Sequence, residues 1–231
     1  MDFSRFKFLS FDCYGTLIDW ETGLLGALHP LLERHGKQIS DSDLLALYAE
    51  LEAQEEAGEY KPYRKVLGKV AQRLGRRLGF APSDAEAASL ADSIAGWLPF
   101  PDTVAALRRL KERYQLVILS NIDDELFAPT AKHLQAPFDF VITAEQCRSY
   151  KPSLNNFRTM LERLGTGSDA LLHCAESRFH DVAPARQLGI ANVWVNRHAG
   201  HPGASASGTS TAVPDLEVPD MKSLAALAAG K

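Results

Sequence analysis

The sequence predicts an α/β fold: a doubly wound parallel sheet interrupted after its first strand by an all-helical subdomain. Three observations carry that prediction. Short apolar runs alternate with stretches of helical period through the second half of the chain. One more such run, residues 6–11, stands alone near the start. Between it and the rest, residues 21–96 carry helical periodicity only.

Residues 6–11 read as a buried strand stopped by the glycine turn of Asp12-Cys13-Tyr14-Gly15-Thr16. Leu24, Leu25, Leu28, Leu31 and Leu32 then form an apolar stripe at helical spacing. A second stripe is Leu44, Leu45, Tyr48 and Leu51, preceded by the cap-rich Ser40-Asp41-Ser42-Asp43; a third is Val66, Leu67, Val70 and Leu74. Ser83 can cap a fourth helix.

After Pro99 and Pro101 the pattern changes. Residues 102–113 predict a helix capped by Asp102, and 116–119 a strand ending in Ser120-Asn121. Helix and strand repeat at 125–134 and 138–143, at 155–164 and 170–174, and at 181–188 and 192–195. Such alternation specifies a Rossmann-like parallel sheet with helices on both faces. Segment 197–214, rich in Gly, Ser, Ala and Pro, reads as a mobile loop, and 221–229 as a closing helix.

The expected division is therefore a core of residues 1–17 and 98–231 and a helical cap of 18–97. An insertion of roughly 80 residues is too long for an ordinary connection. Ligands of open α/β sheets bind outside the carboxyl ends of the strands. Here those ends carry Asp12, Ser120, Thr143 and Glu176.

Composition bounds the function. The chain has 231 residues, 45% of them hydrophobic and 23% charged, enough for a core without staples. A net charge of −4 gives no electrostatic case for nucleic acid. Arg73, Arg76 and Arg77 cluster, and read as a solvated helix face. Cys13, Cys147 and Cys174 are odd in number and widely spaced, which argues against a disulfide framework or a structural zinc site. Residues 1–7 lead straight into a strand, and no apolar run approaches the ~18–20 residues of a membrane span. A cytoplasmic enzyme with no membrane partner is the expectation. The sequence leaves room for a homodimer through the helices of the insertion, but no exposed stripe singles one out.

The run FDCYGTL, residues 11–17, resembles the first signature of the haloacid dehalogenase superfamily, in which an aspartate ending the first strand attacks the substrate. Ser120-Asn121, Lys151-Pro152 and Glu176 with Asp181 resemble its later stations, in order and at strand ends. In the superfamily's phosphatases the second residue after the nucleophile is an aspartate, the general acid. Here it is Tyr14, and an aromatic there resembles the (S)-2-haloacid dehalogenase branch. Halide is a stable leaving group and needs no proton, so a general acid has nothing to do. Longer segments, FDCYGTLIDWETG (11–23), LVILSNID (116–123), SYKPSLNNF (149–157) and AESRFHD (175–181), resemble azetidine-2-carboxylate hydrolase. That enzyme opens a strained ring, again by displacement next to a carboxylate.

The resemblance implies Asp12 as nucleophile, with an ester intermediate hydrolysed by water. Thr16 would hold the nucleophile loop, or serve only as a turn residue. Lys151 would keep Asp12 ionised; the bland alternative is a solvated loop lysine. Ser120 and Asn121 would bind the substrate carboxylate, or form an N-cap pair for the helix near Asp123. Asp181 would bind Lys151 or activate water. His180 would touch substrate or simply pack, and Tyr14 and Trp20 would wall the pocket. His173, on a strand, reads as a satisfied core histidine. The expected partner is a small 2-substituted carboxylate, with no cofactor. Asp12, Glu176 and Asp181 could hold Mg²⁺ only if the chain were a phosphatase, the remaining alternative.

Three departures from the dehalogenase pattern stand out. A cap arginine that meets the leaving halide has no motif here, and Arg34 and Arg64 are the candidates. The tyrosine expected six residues after the lysine is Phe157, and Arg178 replaces an asparagine near the fourth station.

Overall fold

A computed structural model describes residues 1–199 and 210–230. Six parallel strands form one sheet in the order β3-β2-β1-β4-β5-β6. These are β1 (Phe8–Phe11), β2 (Gln115–Ser120), β3 (Phe140–Thr143), β4 (Leu171–Ala175), β5 (Ala191–Val195) and β6 (Leu216–Val218). The short β6 was not anticipated; it pairs with β5 through Val193, Trp194 and Val195. Of the segment 197–214, expected to be mobile, residues 200–209 lie outside the described residues.

Both sheet faces are covered, which is why the strands read as continuous apolar runs. Leu9, Phe11, Leu116 and Ile118 point to one core; Phe8, Val117 and Leu119 point to the other. The first core is closed by α5 (Thr103–Lys111), α6 (Asp124–Leu134) and α10 (Met221–Ala228). The second is closed by α7 (Ala144–Cys147), α8 (Leu154–Leu164) and α9 (Ala183–Gln187). The chain winds from β1 to one side through β2 and β3, then returns to place β4 on β1's other edge. The strand order thus reverses beside β1, where a crevice opens at the carboxyl ends.

Four helices, α1 (Trp20–Arg34), α2 (Asp41–Glu56), α3 (Tyr63–Leu78) and α4 (Asp84–Ser93), form the insertion. The three predicted stripes are its buried faces. Ser40 caps α2, and Ser83 caps α4 in a reciprocal capping box with Glu86. The chains leading in and out run side by side: Ile18 bridges both Tyr14 and Pro99, and the Asp19 amide donates to the Leu98 carbonyl at 2.9 Å.

Two capping expectations fail in an instructive way. Asp102 makes no cap bond to its own helix. Its carboxylate accepts instead from the Met221 and Lys222 amides, at 2.7 and 3.1 Å, and so caps α10. Ser120 and Asn121 do not cap α6 either. Asp123 holds that position, yet its side chain accepts from the Tyr63 and Arg64 amides at 2.8 and 2.9 Å and caps α3 of the insertion. The three cysteines are free and buried.

Candidate active site

Asp12 follows β1 directly, its amide donating to the Cys174 carbonyl of β4. The chain then turns sharply at Gly15, whose φ is +95° and where a Cβ would lie 2.9 Å from Trp20 Nε1. That turn brings Thr16 back beneath the carboxylate. The Thr16 hydroxyl donates to Asp12 Oδ2 at 2.7 Å and accepts from the Glu176 amide at 2.8 Å, tying β1's loop to β4's. Arg197, unnoticed in the sequence, donates to the Thr16 carbonyl from Nε and an Nη, at 3.0 and 2.7 Å.

Lys151 is 2% exposed. Its ammonium uses all three donors: Asp12 Oδ1 at 2.8 Å, Asp181 Oδ1 at 2.7 Å and the Leu119 carbonyl at 3.0 Å. Burial opposes its charge, but the two carboxylates outweigh burial and hold its pKa above the ordinary lysine value. Asn121 clamps the lysine's own backbone. Its Oδ1 accepts from Lys151 N at 2.7 Å and its Nδ2 donates to Lys151 O at 3.1 Å. The Asn121 side chain is thereby turned to Lys151 rather than left open to a ligand.

Asp181 is fully buried. It lies in one turn of π-helix, Arg178–Val182, where a plain helix from residue 181 was expected. Its Oδ1 also meets His173 Nε2 at 2.9 Å, and His173 Nδ1 meets Ser10 Oγ at 2.8 Å. Burial pushes the Asp181 carboxyl up, yet Lys151 and His173 together bring it down to about 2. Its Oδ2 has no hydrogen-bond partner among the described residues. Asp12 goes the other way: burial raises it, and Lys151 offsets that only in part because Asp181 adds repulsion. His173 is therefore satisfied, as expected, but by a residue of the site. The ring of Phe157 packs edge-on against it at 5.2 Å. So the position expected to bear a tyrosine offers no hydroxyl, and His173 brings a polar nitrogen to the same neighbourhood. Ser10 stands opposite His173 across β1 and β4, a register that the sequence alone does not display.

Asp12, Lys151, Asp181, Tyr14, Ser120, Asn121, Glu176 and His180 line one cavity between the sheet and the insertion. The Tyr14 hydroxyl is anchored to Thr130 Oγ1 at 2.8 Å, and its ring meets Trp97 edge-on. The Ser120 hydroxyl is buried and without a partner among the described residues. The Glu176 carboxylate lies 3.9 Å from His198 Nε2. Burial lowers His180 to about 4, so its imidazole is neutral near pH 7. From the insertion come Trp20, Glu52, Glu56 and Tyr63.

Neither candidate cap arginine lines the cavity. Arg34 pairs with Glu86, and Arg64 pairs with Asp92 and Glu125. Arg178 donates to the Ala212 carbonyl and stacks over Trp194. Nor do the residues fit magnesium. The Lys151 ammonium already sits between Asp12 and Asp181, and among the described residues no group of three His, Cys, Asp or Glu is arranged to hold a metal ion.

The family model for haloacid dehalogenase-like hydrolases matches residues 6–188. A curated relative, (S)-2-haloacid dehalogenase H-109 of Pseudomonas putida, is 28% identical over 203 residues, covering 81% of this chain and 84% of its own. An (S)-2-haloacid dehalogenase of Pseudomonas fluorescens is 27% identical, with 82% and 84% covered. Among solved structures, the L-2-haloacid dehalogenase of Xanthobacter autotrophicus with chloropropionic acid covalently bound superposes with a TM-score of 0.81 at 20% identity, over 97% of this chain and 99% of that one.

Proposed function

The chain belongs to the haloacid dehalogenase-like hydrolases, and from that premise we propose that it displaces a substituent at C2 of a small carboxylic acid: 2-haloacid and water give 2-hydroxyacid and halide. The observation that carries this reading is the buried Asp12–Lys151–Asp181 constellation, with Thr16 on the second Asp12 oxygen. The dehalogenase relatives support the substrate class.

Asp12 attacks C2 in line with the carbon–halogen bond. The electron pair of that bond leaves with the halide, and an ester joins Asp12 to C2. Lys151 and Thr16 hold the carboxylate in one orientation, so little freedom is lost in reaching the transition state. Water then attacks the carbonyl carbon of that ester. The bare Oδ2 of Asp181 is the acceptor that orients this water and takes its proton. His173 and Ser10 act as positioning residues: they hold Asp181 by its other oxygen. Ser120 gives a buried donor to the substrate carboxylate, and Asn121 positions Lys151. The helical insertion acts as a cap that excludes bulk water.

The phosphatase alternative is not favoured: Tyr14 stands where that chemistry would want an acid, its hydroxyl bonded to Thr130, and the Lys151 ammonium sits between Asp12 and Asp181. The test is chloride release from (S)-2-chloropropionate in EDTA, beside an Asp12→Asn control. Wild type is expected to give (R)-lactate, inverted at C2. Retained configuration, or turnover by the control, would overturn the reading.

A further inference from the structure

An anion leaving toward a cap is helped by a cation there, and this cap presents none to the cavity among the described residues. No arginine lines the cavity. Lys151 has no donor left: its three protons serve Asp12, Asp181 and Leu119. The cap side carries two carboxylates instead, Glu52 and Glu56 of α2. Glu52 is held in place through Oε1 by the hydroxyls of Tyr48 and Tyr63, at 2.7 and 2.5 Å. Glu56 forms neither a hydrogen bond nor an ion pair among the described residues. Burial raises both, and the neighbouring Glu52 raises Glu56 further.

Two independent features show that this cavity is built for a polar ligand. Ser120, 2% exposed, and Trp97, 6% exposed, line it, and neither the hydroxyl of the one nor the indole N–H of the other has a partner among the described residues. Ser120 lies on the sheet side, where a carboxylate would be received. Opposite, the acidic side chains stand among aromatic faces, Trp20 and Tyr63 included, and such faces attract cations. A purely anionic halopropionate would be repelled by Asp12 and Asp181, which already share Lys151, with no further Lys or Arg lining the cavity among the described residues. A zwitterion meets no such repulsion.

We infer that the preferred substrate is zwitterionic: a 2-substituted carboxylic acid whose chain ends in a protonated amine seated against Glu52 and Glu56. The inference rests on the displacement chemistry proposed above and names its substrate class. The substrate's own ammonium then supplies the positive charge that the cap side chains do not.

The test compares chloride release from (S)-4-amino-2-chlorobutyrate and (S)-5-amino-2-chloropentanoate with that from (S)-2-chlorobutyrate and (S)-2-chloropentanoate. At least one amino acid probe is expected to exceed its plain counterpart in kcat/KM by about tenfold or more. Glu56→Gln should cut that preference severalfold by lowering kcat/KM on the amine-bearing probes. Glu56 is half-buried and makes no hydrogen bond or ion pair among the described residues, so this variant should fold. Equal or better use of the plain acids by wild type would overturn the inference and leave the displacement chemistry standing. If no probe releases chloride, the chemistry itself fails. Calorimetry with 4-amino-2-hydroxybutyrate and 2-hydroxybutyrate then still decides: tighter binding of the amine, lost in Glu56→Gln, supports the zwitterion, and equal binding overturns it.

Discussion

At the scale of single residues, the site is one cation shared by two buried carboxylates, and that unevenness assigns the roles. Asp181, with Lys151 and His173 on one oxygen, stays ionised down to about pH 2. Asp12, raised above its ordinary value of 3.8, is the group that acid silences first. The proposed nucleophile must be ionised to attack, so kcat/KM is predicted to fall as pH drops through a value above 3.8. A profile flat to that point would contradict the assignment. Lys151→Ala leaves both carboxylates buried with no counter-charge, and is expected to cost about 3–5 kcal/mol of stability, read by denaturant unfolding, as well as activity. His173→Phe should move the acid limb, because Asp181 then loses a partner and repels Asp12 differently, whereas His173→Gln, which keeps a polar group, should restore part of the rate. If both variants kept the wild-type pH profile, His173 would be packing alone. Asp12, Thr16 and Lys151 were singled out by motif segments at or beside turns, and the fold brings their side chains together. His173 was not, because its partner lies across a strand pair and sequence spacing does not reveal it.

At the scale of elements, local propensity marked Asp102 as a cap but gave it the wrong helix, and it passed over Asp123. Asp102 and Asp123 both stand at a helix N-terminus, yet each gives its carboxylate to the amides of another helix. A single sequence shows only the near helix, so capping in trans is invisible to it. The consequence differs for the two. Asp102 joins α5 to α10 within the core, whereas Asp123 joins the core to α3 of the insertion. Asp123→Ala is therefore predicted to cost about 1 kcal/mol and to speed amide exchange at Tyr63 and Arg64 more than in the sheet. Unchanged exchange at those two amides would mean the insertion is held elsewhere. The helices of the insertion were legible from their stripes, because each buries one face only. The strand β6 has three residues and too short a run to show any period.

At the scale of the molecule, the sheet's winding explains where the chemistry sits. Reversal of strand order beside β1 opens a crevice, and β1, β2 and β4 each deliver polar groups to it while their remaining residues fill two cores. This much follows from alternating strands and helices alone. What could not be read was the charge of the cavity roof, since Glu52 and Glu56 lie in a polar, unremarkable stretch of α2 until the fold turns them inward. Burial also ties stability to pH. His180, held near 4 against an ordinary 6.5, stays neutral in the folded state while the unfolded chain takes up a proton. Stability is thus predicted to decline as pH falls from about 6.5 toward 4, and His180→Gln should flatten the midpoint of thermal unfolding over that window. An equally steep decline in the variant would place the effect on other groups.

The central claim is that Asp12 forms an ester which water opens at the carbonyl carbon. A single turnover in H₂¹⁸O, with enzyme in excess over (S)-2-chloropropionate or the amine-bearing probe, tests it directly by mass spectrometry. The expected result is ¹⁸O in the peptide that contains Asp12 and unlabelled hydroxyl oxygen in the first product formed. Label in the product with Asp12 unlabelled would mean that water attacks C2 itself, and the nucleophilic role of Asp12 would fall.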